Sequence, residues 1–267
     1  LRAEWEKQDT CTQSPQYLSP AKETYTSYRY PQPINDSIVI TVKSGLKDIN
    51  SLVTIVHGKE KRLSYIGSIN SRLDYRNGKI YWTEIVPGLR WTHENYSVLK
   101  CYDLKEGRIK SITPRQRYLS PSVDKNGKVA AVSRTTVDGK NQLVLVELED
   151  GKELFAFQVP GNAFIKELTF TDQDEVVAVA VTDAGISLLQ FTPSSGQWEE
   201  LLSTASVNIT SPVWKDGRIY FESGANGTNN LYCLDLADHQ VYRLTCARFG
   251  AFDPSFTHSG NRLFFAD

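Results

Sequence analysis

Polar residues gather into short turns along this chain, and each turn runs into a stretch of β-branched, aliphatic and aromatic residues. Asn77-Gly78 precedes Lys79-Ile80-Tyr81-Trp82, Asn126-Gly127 precedes Lys128-Val129-Ala130-Ala131, and Asp216-Gly217 precedes Arg218-Ile219-Tyr220-Phe221. Ser259-Gly260 stands in the same way before Asn261-Arg262-Leu263-Phe264. Asn-Gly and Asp-Gly tolerate the positive φ that a tight reversal between antiparallel strands demands, so each reads as a hairpin. Weaker copies are Asn35-Asp36-Ser37 before Ile38-Val39-Ile40 and Asp174-Glu175 before Val176-Val177-Ala178. Successive turns fall about 42 to 49 residues apart, the spacing expected of four strands per propeller blade.

Two further landmarks repeat with the same period. Downstream of each first turn comes an alternating strand, at Leu52–Val56, Val98–Leu104, Leu143–Leu148, Ile186–Phe191 and Leu231–Leu236. A second turn follows, at His57-Gly58, Glu106-Gly107, Asp150-Gly151, Ser195-Gly196 and Asp238-His239, and then a short last strand. Period-two alternation with β-branched and aromatic residues predicts strands throughout, and nothing from Tyr28 onward reads as a long helix. Upstream of the first turn stand Ser120-Pro121, Ser211-Pro212 and Asp253-Pro254. Proline lacks an N–H and suits the start of an inner strand, where no ladder bond is lost.

Proline followed by an aromatic residue, Asp-Gly, an apolar strand and then Leu-Tyr-Cys-Leu-Asp-Leu resembles the repeat of TolB-like β-propellers, most clearly from Ser211 to Thr245. The resemblance covers Tyr28 to Asp267 and implies an all-β propeller of six four-stranded antiparallel blades, the last one incomplete. Blade boundaries are expected at 27–69, 70–115, 116–160, 161–203, 204–248 and 249–267, with residues 1–26 a linker or the remnant of a preceding domain. Blades one, four and six depart from the pattern, with Asp36-Ser37, Asp174-Glu175 and His258-Ser259-Gly260 in place of Asp-Gly. A half-built sixth blade exposes an unpaired edge and one flank of the core, so something is expected to complete it.

Composition narrows the function. Thirty Lys and Arg face 31 Asp and Glu, giving a net charge of −1 and arguing against electrostatic nucleic-acid binding. No apolar run approaches the roughly 18–20 residues that span a bilayer. Met is absent, even at the first position, which reads as an incomplete chain. Cys101 and Cys233 hold the same place in blades on opposite parts of the ring, too far apart for a disulfide, so both are expected in the core; Cys11 and Cys246 have no evident partner. His57, His239 and His258 fall in turns of the repeat, and with His93 they offer no helical pair for zinc. There is no nucleophile elbow, zinc-protease helix, phosphate loop or dinucleotide turn, so no catalytic residue, metal or cofactor is assigned. Asp103, Glu147 and Asp235 recur at matching positions and read as hydrogen-bond acceptors within the blade, and the sequons at Asn35, Asn95, Asn208 and Asn226 are discounted.

One insertion has chemical character. Blade two carries Glu84 to Tyr96 where the other blades connect their second and third strands briefly, and a per-repeat insertion maps to a loop on one face. Arg90, Trp91, His93 and Tyr96 give it a cation, donors and aromatic surface. The connections between blades emerge on the same face and add Arg115, Arg117, Tyr118 and Arg248, with Phe249 and Phe252 read as packing blade against blade. Arginine forks hold carboxylates and aromatic rings offer stacking surfaces, so a protein, peptide or glycan partner is expected there. The resemblance implies a non-enzymatic binding or assembly module of the bacterial envelope, extracytoplasmic and periplasmic or outer-membrane associated. The alternative it implies is the gating or scaffold propeller of a larger peptidase.

Overall fold

The computed structural model of the chain describes residues 16–69, 71–88, 90, 95–257 and 262–267. Blade one is formed by β1 (Thr26–Asn35), β2 (Ile38–Gly45), β3 (Ser51–Val56) and β4 (Lys59–Tyr65). Blade two is formed by β5 (Asp74–Arg76), β6 (Lys79–Pro87), β7 (Asn95–Asp103) and β8 (Arg108–Ser111). Blade three follows with β9 (Tyr118–Val123), β10 (Val129–Thr135), β11 (Asn141–Glu147) and β12 (Glu153–Gln158). Blade four has β13 (Phe164–Phe170), β14 (Val176–Thr182), β15 (Gly185–Thr192) and β16 (Gln197–Ala205). Blade five has β17 (Ile209–Lys215), β18 (Arg218–Ser223), β19 (Asn230–Asp235) and β20 (Gln240–Arg243). Every blade is an antiparallel meander with its strands in chain order.

The last sheet differs. It holds β21 (Phe252–Phe256) and β22 (Leu263–Ala266), and among the described residues β22 has β21 as its one partner. The expectation of six blades is therefore corrected: five are built, because the segment from Phe252 onward contributes two strands. This sheet sits between blade five and blade one, since β21 packs on β17 and β18 on one side and on β1 on the other. Residues 16–25 lie close by, where Lys22 pairs with Glu60 at 3.1 Å and Gln16 accepts a bond from Arg262 at 3.4 Å.

Hydrophobic burial explains the ring. Ile40, Val42 and Leu52 of blade one meet Leu73, Ile80 and Trp82 of blade two, and equivalent clusters fill the next three junctions. The run Val176-Val177-Ala178-Val179-Ala180 is apolar without alternation because β14 is covered on both faces. Val176, Ala178 and Ala180 face blade three, and Val177 and Val179 face blade five.

The Pro landmarks mark bulges rather than strand starts. Tyr30, Ser120, Ser211 and Asp253 have φ of 57°, 48°, 53° and 54°, each precedes a proline, and each lies where the register of its inner strand shifts. A bulge leaves one residue out of the ladder, and the proline beside it has no N–H to lose. The freed N–H groups of Tyr30, Ser211 and Asp253 point instead at side chains of the neighbouring sheet.

Candidate binding face and the axial polar cluster

Those freed amides belong to a set that runs round the whole ring. At each junction a side chain of one sheet accepts a hydrogen bond from the backbone of the next sheet's inner strand. Gln32 accepts from Tyr75 N at 3.2 Å, Asp74 from Val123 N at 2.6 Å, and Ser122 Oγ from Phe170 N at 3.0 Å. Glu167 accepts from Ser211 N, Glu222 from Asp253 N at 2.6 Å, and Asp253 from Tyr30 N at 3.0 Å. A charged acceptor makes the stronger bond, and burial away from water keeps it so. The two-stranded sheet is thus tied to both neighbours by the same device that joins complete blades.

Within this girdle sits a cluster of charges. Arg29 donates to both carboxylate oxygens of Asp253, with Nη2 to Oδ1 at 3.1 Å, and its guanidinium lies 5.3 Å from the Tyr30 ring and 5.4 Å from the Phe252 ring. Asp253 is buried while 43% of the Arg29 side chain is exposed, so the pair presents a guanidinium edge rather than a carboxylate. The bond to Asp253 raises the arginine's already high pKa. Arg72, just before β5, reaches the Pro212 carbonyl on β17. Blades two and five lie on opposite sides of the ring, so this contact crosses the axis. Burial pushes the Glu167 carboxyl above its usual range, against the opposing pull of the Ser211 N–H and of Arg72.

The residues singled out from sequence are spread over the rim of the same face. Arg90 is exposed beyond the end of β6 at Pro87, and Trp91 and His93 lie outside the described residues. Tyr96 is half-buried on β7, with the Arg115 guanidinium 6.0 Å from its ring centre. Arg117 is exposed. Arg248 lies over the ring of Phe249 at 5.3 Å, and Phe249 is 84% exposed rather than packed between blades. Tyr118 is a core residue instead of a rim residue: it packs with Val132, Val144 and Val146, and its hydroxyl donates to Glu153 at 3.1 Å. Burial and the Glu153 carboxylate push that hydroxyl up to about 12.

The insertion is also shorter than its sequence suggests. β6 runs to Pro87 and β7 begins at Asn95, so the paired strands absorb Ile85, Val86 and Tyr96. Glu84 is 9% exposed and accepts from Lys100 at 2.5 Å, Gly67 N at 3.1 Å and Trp82 Nε1 at 3.3 Å, which neutralises a carboxylate inside the blade. Among the described residues no three His, Cys, Asp or Glu side chains converge as metal ligands, and no helix is long and apolar enough to cross a membrane.

No protein-family model matches the sequence, and no curated protein matches it either. Solved structures do match in fold. The tricorn protease aligns with a TM-score of 0.63 at 17% identity, over 90% of this chain and 24% of that one. TolB from Acinetobacter baumannii aligns with a TM-score of 0.60 at 14% identity, over 89% of this chain and 56% of that one. The acylaminoacyl peptidase of Pyrococcus horikoshii aligns with a TM-score of 0.57 at 12% identity, over 90% of this chain and 49% of that one. At such identities the likeness establishes a β-propeller fold of the TolB kind, and the chain spans between about a quarter and just over half of these proteins.

Proposed function

We propose that the chain is a non-enzymatic propeller that binds a protein or peptide on the face carrying its inter-blade connections, as an assembly module of the bacterial envelope. The observation that carries this reading is the concentration of arginine and aromatic side chains there. Arg90, Arg115, Arg117 and Arg248 are exposed on the rim, with Tyr96 and Phe249 beside two of them, and Arg29 opens between Tyr30 and Phe252 nearer the axis. Guanidinium groups backed by rings favour carboxylates presented on an extended segment. A periplasmic setting accords with the likeness to TolB.

The experiment is selection from a peptide array against the immobilised chain. Acidic peptides are expected to be enriched, and the double variant R115E/R117E is expected to lower their affinity about tenfold, the scale of one charge-assisted bidentate bond. Equal capture of basic peptides, or unchanged affinity in the double variant, overturns the reading. A second reading, a gating or scaffold propeller of a larger peptidase, draws on the short share of the peptidase chains that this sequence spans. Peptide hydrolysis by a longer protein containing these residues, and none by the 267 residues themselves, favours it.

A further inference from the structure

Tyr232 carries a buried hydroxyl with no acceptor. The residue stands on β19 and is 7% exposed, its ring stacks on Phe221 with 6.0 Å between centres, and with Leu234 it turns toward blade four. Its Oη is shut off from water and has no hydrogen-bond partner among the described residues. A donor buried in this way loses its hydration and gains no bond in exchange, so such a group in a folded chain calls for an explanation.

A cation and a thiol lie around that hydroxyl. Arg243 stands directly opposite Tyr232 in the β19–β20 ladder and so shares its face. The segment after β20 is clamped along the start of β19, with Leu244 N donating to Leu231 O at 2.8 Å and Leu231 N to Thr245 Oγ1 at 2.9 Å. Thr245 Oγ1 at 3.0 Å and Ala247 N at 2.8 Å both donate to Asn230 Oδ1. Asn230 is two residues before Tyr232 and therefore on the same side of the strand. Cys246 is held between the two contacts that Asn230 makes, and it is half-buried where Cys101 and Cys233 are buried. Burial pushes the Tyr232 hydroxyl above its usual range, and the titratable groups that also act on it are Arg243, which pulls it back, and Cys246. Blade four, toward which Tyr232 turns, has all four strands, so this arrangement does not depend on the two-stranded sheet.

We propose that Cys246 is a redox modification site, where a hydroperoxide converts the thiol to a sulfenic acid whose new oxygen accepts the hydrogen bond that Tyr232 Oη lacks. The thiolate sulfur attacks one peroxide oxygen, and the O–O bond breaks as the S–O bond forms. The displaced oxygen takes up the thiol proton and leaves as water or an alcohol. Sulfur gives up two electrons and the peroxide gains them. A thiol is a weak acceptor and an ionised sulfenate a strong one, so the buried hydroxyl favours the oxidised state over the reduced one. The nearby Arg243 charge favours the anionic form of each. Tyr232 is a positioning residue, which holds the product and does not touch the peroxide. None of this rests on the connection-face arginines, so it stands or falls independently of the proposed binding face.

The test traps the sulfenic acid. The chain carrying Cys11→Ser, so that Cys11 cannot capture the product as a disulfide, is reduced, treated with equimolar hydrogen peroxide and labelled with dimedone, and the adducts are located by mass spectrometry. Cys246 is expected to carry the adduct, with Cys101 and Cys233 labelled at least about tenfold less. Tyr232→Phe removes only an unpartnered hydroxyl and keeps the stacked ring, so by urea unfolding the variant is expected to be at least as stable as the parent. The lifetime of the sulfenic acid is then followed by adding dimedone at increasing delays after catalase has removed the peroxide. Decay is expected to be about tenfold faster in Tyr232→Phe, the scale of one hydrogen bond to a charged acceptor. No adduct at Cys246, equal labelling of the buried cysteines, or an unchanged lifetime in Tyr232→Phe overturns the proposal.

Discussion

Blades two and five are built from nearly the same residues, yet one face is interior and the other is surface. Tyr81 is 3% exposed because blade three lies over it, while Tyr220 is only half-buried and its neighbours Tyr242 and Leu244 open to solvent. The difference does not reside in the strands themselves. It resides in the next sheet, where four strands cover blade two and two strands cover the inner half of blade five. A blade's apolar alternation is therefore a specification for a neighbour as well as for itself, and its energetic value depends on the neighbour being present.

The sharpest way to break this comparison is to truncate matched residues. Tyr81→Ala is expected to cost about 3–5 kcal/mol, the usual range for emptying a buried aromatic site, and Tyr220→Ala about half as much, by urea unfolding. Equal costs would mean that the open face is covered in solution. Next in size is Asp253→Ala, which removes the acceptor for Tyr30 N and leaves Arg29 without its carboxylate. A loss of about 1–3 kcal/mol is expected, with faster hydrogen exchange at β1 and β21 than at the other junctions. Smaller still is the pair Cys101→Ser and Cys233→Ser, where burying a hydroxyl is expected to cost about 1–2 kcal/mol in blade two and less in blade five.

Acid titration separates two carboxylates of opposite sign. Burial works against ionisation of Glu60, but bonds from Tyr28, Lys43 and Lys22 outweigh it and hold its pKa down at about 2. Its folded value lies below the unfolded one, so its contribution is present above about pH 4.5 and is lost as the pH falls toward 2. Glu167 runs the other way, because its folded value is raised: its contribution is present at low pH and is lost as the pH rises from the unfolded value through the folded one. E60Q is expected to flatten the acid limb of stability, and E167Q to raise the melting temperature at pH 7 but not at pH 4.

Much of the fold was legible in the sequence because its signals are local. Asn77-Gly78 and Asp216-Gly217 adopt positive φ at both residues, as a two-residue hairpin turn requires, and the strands on either side alternate accordingly. The Pro landmarks were visible too, although Tyr30-Pro31 is a further copy, and the positive φ before the proline could not be read from composition. The axial cluster was not legible. Arg29 meets Asp253 across 224 residues, Arg72 meets Pro212 across 140, and Glu222 meets Asp253 across 31, distances over which no periodicity speaks. On the rim, Tyr118 misled because an aromatic next to arginines looks the same in sequence whether it faces solvent or the valines of its own blade.

The central claim, that matched faces differ by what lies over them, is tested most directly by pulsed alkylation of the native protein with site-resolved mass spectrometry. Cys101 and Cys233 are each 4% exposed, and burial raises the pKa of both thiols, so static exposure and thiol acidity favour neither. Modification then reports local opening. Cys233, shielded on its outer side by Tyr242 and Leu244 of its own blade, is expected to react at least about tenfold faster than Cys101, which opens only if blade three moves away. Equal rates, or faster reaction at Cys101, would contradict the account.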